Sequence, residues 1–142
     1  MFRFIRPSVL GLMFLIAALP ACQGGKKLSD ADILVIGQTR LAQLRQRPPR
    51  KGLVLVDARQ PHEFAAGHIP GAINIPLQDV READPRLAAA GAVVIYGAGP
   101  GSPVSPAAAK KLLGLGYESV YDYRGGLEAW QAAGGEVAAA DN

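Results

Sequence analysis

The chain has 142 residues, 49% of them hydrophobic and 19% charged, with 15 basic and 12 acidic side chains and a formal net charge of +3. That length supports one compact domain with its own core, and a single cysteine excludes an internal disulfide. Part of the basic excess belongs to an N-terminal segment expected to be removed: without Arg3 and Arg6, thirteen basic side chains face twelve acidic ones, a net charge of +1.

Residues 1–21 read as an export signal. Arg3 and Arg6 precede an uncharged, largely apolar run at 9–19, which is too short for a spanning helix of roughly 20 residues. The run ends in Leu19-Pro20-Ala21-Cys22, which resembles a bacterial lipobox. Cleavage before Cys22 and lipidation of its thiol are therefore expected, with the membrane as a partner through that lipid. The alternative is an ordinary secretory signal cleaved near Ala21, with Cys22 an idle thiol. Gln23 follows the cysteine. By resemblance to enterobacterial sorting, a residue other than aspartate there favours the outer membrane, on its periplasmic face. Residues 22–31 are expected to form a short tether, residues 32–136 the domain, and residues 137–142 a small, polar, fraying tail.

From residue 33 onward, short apolar runs alternate with helical stretches. Strands are predicted at 33–36, 53–56, 72–75, 92–96 and 119–123. The runs at 53–56 and 92–96 are continuous apolar stretches of the fully buried kind. Helices are predicted at 38–47 (stopped by Pro48 and Pro49), 61–66 (opened by Pro61), 77–82, 85–90, 105–115 and 127–133. Ser105, followed by Pro106, is expected to cap the helix it opens. The pattern is that of an α/β fold, a parallel sheet with helices packed on it. Arg40, Arg45, Arg47, Arg50 and Lys51 fall together with no acidic residue among them. An exported chain with no interleaved aromatics is not expected to bind nucleic acid, so this cluster reads as a solvated helix face and loop.

Two stretches resemble one family. The first is Val56-Asp57-Ala58-Arg59, then Glu63-Phe64, then Gly67-His68-Ile69-Pro70-Gly71-Ala72-Ile73-Asn74-Ile75-Pro76. The second comprises the strand to Tyr96, the helix at 105–115, Gly116-Tyr117, Val120-Tyr121, Gly125-Gly126 and Trp130. Together they resemble rhodanese-like sulfurtransferase domains over residues 33–135. The resemblance implies a three-layer fold, a five-stranded parallel sheet with helices on both faces. Asp57 and Arg59 leave a buried strand end with opposite charges, and pairing lowers the cost of burying them. Glu63 and His68 are expected in the same structural network. His68 reads as a satisfied structural histidine, and Trp130 as an anchor for the last helix.

Ligands of open parallel sheets bind beyond the carboxyl ends of the strands, at helix N-termini. The corresponding loop reads Gly97-Ala98-Gly99-Pro100-Gly101-Ser102-Pro103-Val104. By the resemblance, Gly97 stands where active members carry the nucleophilic cysteine, and Val104 where they carry a substrate-binding arginine. The loop is also about two residues longer than the sulfurtransferase form. Sulfur transfer through a persulfide needs a thiolate, so no catalytic residue is assigned. Gly97, Ala98, Gly99, Gly101, Ser102 and Ser105 are the candidates for contacting a ligand, an unidentified protein or a small anion. No cofactor and no metal site are expected. The leading expectation is a catalytically silent, envelope-anchored binding module. Two others stand beside it: an enzyme that borrows a partner's thiol or uses the pocket for other chemistry, and a vestigial fold without a ligand.

Overall fold

Five apolar runs become strands: β1 (Leu34–Ile36), β2 (Leu53–Asp57), β3 (Ala72–Asn74), β4 (Ala92–Tyr96) and β5 (Val120–Tyr123). In the computed structural model, which describes residues 28–139, they form one parallel sheet in the order β1-β5-β4-β2-β3. Every residue of the central strand β4 is buried, as a strand covered on both faces requires.

Helices cover both faces. Leu41 and Leu44 of α1 (Gln38–Gln46) and Leu127 and Trp130 of α4 (Gly126–Ala132) pack on one face with Val94, Tyr96 and Tyr123. Ala108, Ala109 and Leu112 of α3 (Val104–Gly114) pack on the other with Val56, Val93, Ile95 and Val120. A short helix, α2 (Pro61–Ala66), and single 3-10 turns at Asp30–Asp32 and Leu77–Asp79 complete the fold. The strand register aligns Ile36, Tyr123, Tyr96, Asp57 and Asn74 in one row at the carboxyl ends of the strands.

The sequence expectations need correction in four places. The helices predicted at 77–82 and 85–90 are absent: the first is the single turn Leu77–Asp79, and the second is a series of turns. There Leu87 N–H bonds Asp84 O at 2.9 Å and Ala90 N–H bonds Leu87 O at 3.0 Å. The carboxylate of buried Asp84 holds the Arg86 amide (3.0 Å) and its guanidinium (2.6 Å), and a side chain that bonds nearby backbone in this way competes with helix formation. Ser105 does not cap α3. Pro103 precedes the helix and Ser105 lies buried in its first turn, while Val104 N–H reaches Ser102 Oγ at 3.4 Å. The fold begins before residue 32, because Asp30 pairs with Lys110 of α3 at 2.9 Å. Residues expected to fray are attached at the other end, where Ala138 and His68 exchange backbone hydrogen bonds of 2.8 and 2.9 Å. Cys22 and the export segment lie outside the described residues.

Candidate functional site

The carboxyl end of β2 holds a buried ion pair. Asp57 is fully buried and Arg59 nearly so. Arg59 Nη2 donates to Asp57 Oδ2 at 2.6 Å, and its Nε donates to Oδ1 at 3.0 Å, a fork geometry that satisfies both carboxylate oxygens. A further bond runs from Arg59 Nη2 to Gly67 O at 2.7 Å. Burial works against the guanidinium charge, but the Asp57 carboxylate outweighs it and holds Arg59 above its ordinary value. Asn74 Nδ2 donates to the carbonyls of Asp57 and Arg59, both at 3.0 Å, fixing the β2–β3 junction.

Tyr96 extends this network. Its hydroxyl accepts Ile69 N–H at 3.0 Å. Burial first, and the neighbouring Asp57 carboxylate second, push the phenol far above its ordinary value, so it stays protonated. Sequence reading did not single out Tyr96 or Asn74 for the network, since only the register brings them beside Asp57. Glu63 and His68 make their own hydrogen bonds beside the pair. Glu63 Oε2 accepts Gln60 N–H at 3.1 Å in a capping box on α2. The His68 ring stacks on Phe64 with centroids 3.8 Å apart, and its Nδ1 lies 2.9 Å from Phe64 O. Both support the segment after β2; Glu63 also acts on Arg59 through its charge, helping to hold it above its ordinary value, and His68 follows Gly67, whose carbonyl accepts from Arg59.

The loop after β4 closes onto α4. Gly97 O accepts Leu127 N–H at 3.0 Å, and Ala98 O accepts Glu128 N–H at 2.9 Å. Gly126 permits this approach: it has φ +61°, and a Cβ there would sit 2.6 Å from Gly97 O and 2.7 Å from Gly99 N. The first amides of α4 are thereby committed to the loop. Gly97 and Gly99 are buried, while Ala98, Pro100 and Gly101 are exposed. A Cβ on Gly97 would point into the loop, 3.0 Å from Ser102 Oγ and 3.6 Å from the Ser105 amide. A side chain at this position would therefore be directed at the α3 N-terminus, where helical amides lack intrahelical acceptors.

Gly99 faces the Glu128 side chain so closely that a Cβ would collide with its carboxylate. The sequence reading missed Glu128, because the left-handed turn at Gly126 is what lays it across the loop. The site therefore presents the Ser102 hydroxyl and the Ser105 amide beside a position with no side chain, with an acidic group across Gly99. Its own residues can hydrogen-bond a ligand, but they supply no thiolate and no basic side chain. Among the described residues, no group of three or more His, Cys, Asp or Glu could hold a metal ion.

A family model described as the rhodanese-like domain matches residues 40–133. The chain is 41% identical over 87 residues to the thiosulfate sulfurtransferase GlpE of Pseudomonas putida, covering 58% of this chain and 74% of that protein. It is 35% identical over 85 residues to the uncharacterised Bacillus subtilis protein YqhL, covering 60% of this chain and 64% of the relative. Among solved structures, a Bacillus halodurans protein has a TM-score of 0.67 at 28% identity, covering 75% of this chain and 77% of its own. A rhodanese-related protein of Thermoplasma volcanium has a TM-score of 0.61 at 27% identity, covering 74% and 97%.

Proposed function

Taking as premise that the chain belongs to the rhodanese-like domain family, we propose that it is a catalytically silent member, anchored in a bacterial envelope by lipid on Cys22 and acting as a binding module. The observation that carries the reading is Gly97. Its missing side chain would be directed at the Ser105 amide, the place where a persulfide would gain most from a helix N-terminus. The scaffold is kept and the reagent is gone. The lipobox-like Leu19 to Cys22 supports the anchor, because acyl chains bind membranes at about 0.8 kcal/mol per buried methylene and two or more anchor stably.

The ligand surface is the loop from Gly97 to Ser105. A small anion bound beside the Ser105 amide meets the Glu128 carboxylate across Gly99, so binding of sulfate or phosphate is weak. A titration followed by backbone amide shifts tests this: saturable shifts confined to residues 97–107 support the site. Glu128→Gln should tighten binding several-fold by removing the opposing charge. Shifts spread evenly over the surface, or none, leave a solvated loop. Metabolic labelling with a fatty-acid probe tests the anchor, marking the wild type and leaving Cys22→Ala unmarked; equal labelling of both contradicts it.

A second reading rests on the same loop. A partner's thiol brought to its exposed residues Ala98, Pro100 and Gly101 would make the pair a sulfurtransferase, the activity in the name of the Pseudomonas putida relative. Sulfur transfer that appears only when a thiol protein is added would favour it.

A further inference from the structure

The parallel sheet gives the molecule two unlike poles. All five strands begin at one and end at the other, where the loop after Tyr96 lies. Two features that the site does not use meet at the starting pole. The first is basic charge. α1 ends at Gln46, and residues 47–52 lead into β2, with Gly91 N–H bonded to Gly52 O at 2.9 Å where β4 starts. Arg47 and Arg50 are exposed there, while Arg40 lies in the first turn of α1, toward the carboxyl ends of the strands, where the neighbouring Gln38 side chain meets Tyr123. A groove of about 390 Å³ runs along α1 to Arg47, lined by Leu44. Neither Arg47 nor Arg50 has an ion-pair partner among the described residues.

The other charges of this pole are of both signs, with Asp30 paired to Lys110 and Asp32 in the turn that leads into β1. Arg45 covers the Trp130 ring at 5.0 Å and donates to Pro70 O at 3.2 Å. Lys51 shares a cleft with Glu82 and Glu118. Between Ile33 and Val56 the sequence has no acidic residue at all.

The second feature is where the described chain begins. Leu28 lies against the end of α3, its Cδ1 3.6 Å from where a Cβ on Gly114 would sit. α3 runs opposite to the strands and leads into the start of β5, so the chain enters the fold at the same pole. The segment from Cys22 to Leu28, which includes Lys26 and Lys27, reaches at most about 20 Å fully extended. A lipid on Cys22 thus holds this pole within that distance of the bilayer.

We propose that the pole carrying Arg47 and Arg50 docks on anionic phospholipid, leaving the loop from Gly97 to Ser105 facing away from the membrane toward its partner. The orientation rests on lipidation of Cys22 as proposed above, but the basic surface does not. Basic residues near an anionic bilayer each contribute about fivefold in partition, within a Debye length of the surface.

The test uses the chain from Cys22 onward, which contains every element of the fold, with Cys22→Ser and no lipid. Vesicles of phosphatidylcholine alone are compared with vesicles holding equal amounts of phosphatidylcholine and phosphatidylglycerol. Cosedimentation should occur only with the second and fall steeply as salt rises. Replacing Arg47 and Arg50 together by glutamine should lower partition at least tenfold, and Arg47→Gln alone about fivefold. Equal partition into both vesicle types overturns the proposal, as does an unchanged partition for the double variant. Competition by inorganic phosphate beyond that of sodium chloride at equal ionic strength also overturns it, showing a phosphate pocket rather than a docking surface. Melting temperatures equal to that of the parent establish that the variants are folded; if the double variant melts early, Arg47→Gln decides. Fatty-acid labelling reads Cys22 whatever the vesicles show, so failure of the anchor and failure of the surface are told apart.

Discussion

At residue scale, the most consequential interaction is the ion pair of Asp57 and Arg59. Both partners are buried, and the remaining capacity of the guanidinium goes to Gly67 O. Removing one member of such a pair strands the other at a cost of about 3–5 kcal/mol. Asp57→Ala is expected to lower the melting temperature strongly and to loosen the Gly67 turn; a melt equal to wild type would mean that water replaces the carboxylate. Asp84 gives a prediction in pH. The hydrogen bonds from Arg86 bring its pKa from 3.8 down to about 2. A carboxylate whose folded value lies below its unfolded value stabilises the fold above the unfolded pKa. That stabilisation is fully present above about pH 5 and disappears as pH falls through 3.8 toward 2. Because Arg86 is part-exposed and solvent screens it, the effect is about 1–2 kcal/mol. Acid titration of stability should show this loss in the wild type and a flatter profile in Asp84→Asn. Identical profiles would contradict it.

At the scale of elements, the loop and α4 behave as one unit. Gly126→Ala would place a methyl group 2.6 Å from Gly97 O at a φ of +61°, combining overpacking with a left-handed strain of about 2–4 kcal/mol in all. The midpoint of urea unfolding should fall, and hydrogen exchange at Leu127 and Glu128 should quicken. Unchanged exchange would mean that the loop moves without α4. The same scale shows what was legible in the sequence. The strands were, because their apolar runs are bounded by glycine, proline and charge. Asp57 and Arg59 were, because two residues of spacing at a strand end put opposite charges within reach of one another. Glu63 and His68 were read into that pair's network by nearness along the chain; Glu63 reaches Arg59 through charge while its hydrogen bond goes to Gln60, and His68 lies against Phe64. Residues 85–90 read as helical from their alanines, a local propensity that the bonds of buried Asp84 override. Tyr96, Asn74 and Glu128 owe their roles to strand register and to one left-handed glycine, and neither is written in local sequence.

For the whole molecule, the two poles of the parallel sheet divide the work. One end carries the entry of the chain and unpaired arginines, and the other carries the loop. That division suits the proposed role of presenting the loop to a partner. Restoring Gly97→Cys should therefore give little activity, since Val104 stands in place of the arginine that the family resemblance assigns there, and Glu128 opposes an anionic substrate. The most direct measurement is thiosulfate:cyanide sulfurtransfer by the chain from Cys22 onward carrying Cys22→Ser, which contains no cysteine. The account predicts no thiocyanate above the buffer control at any enzyme concentration. Turnover that scales with protein would contradict it, because sulfur would then be moving through a domain with no thiolate to carry it.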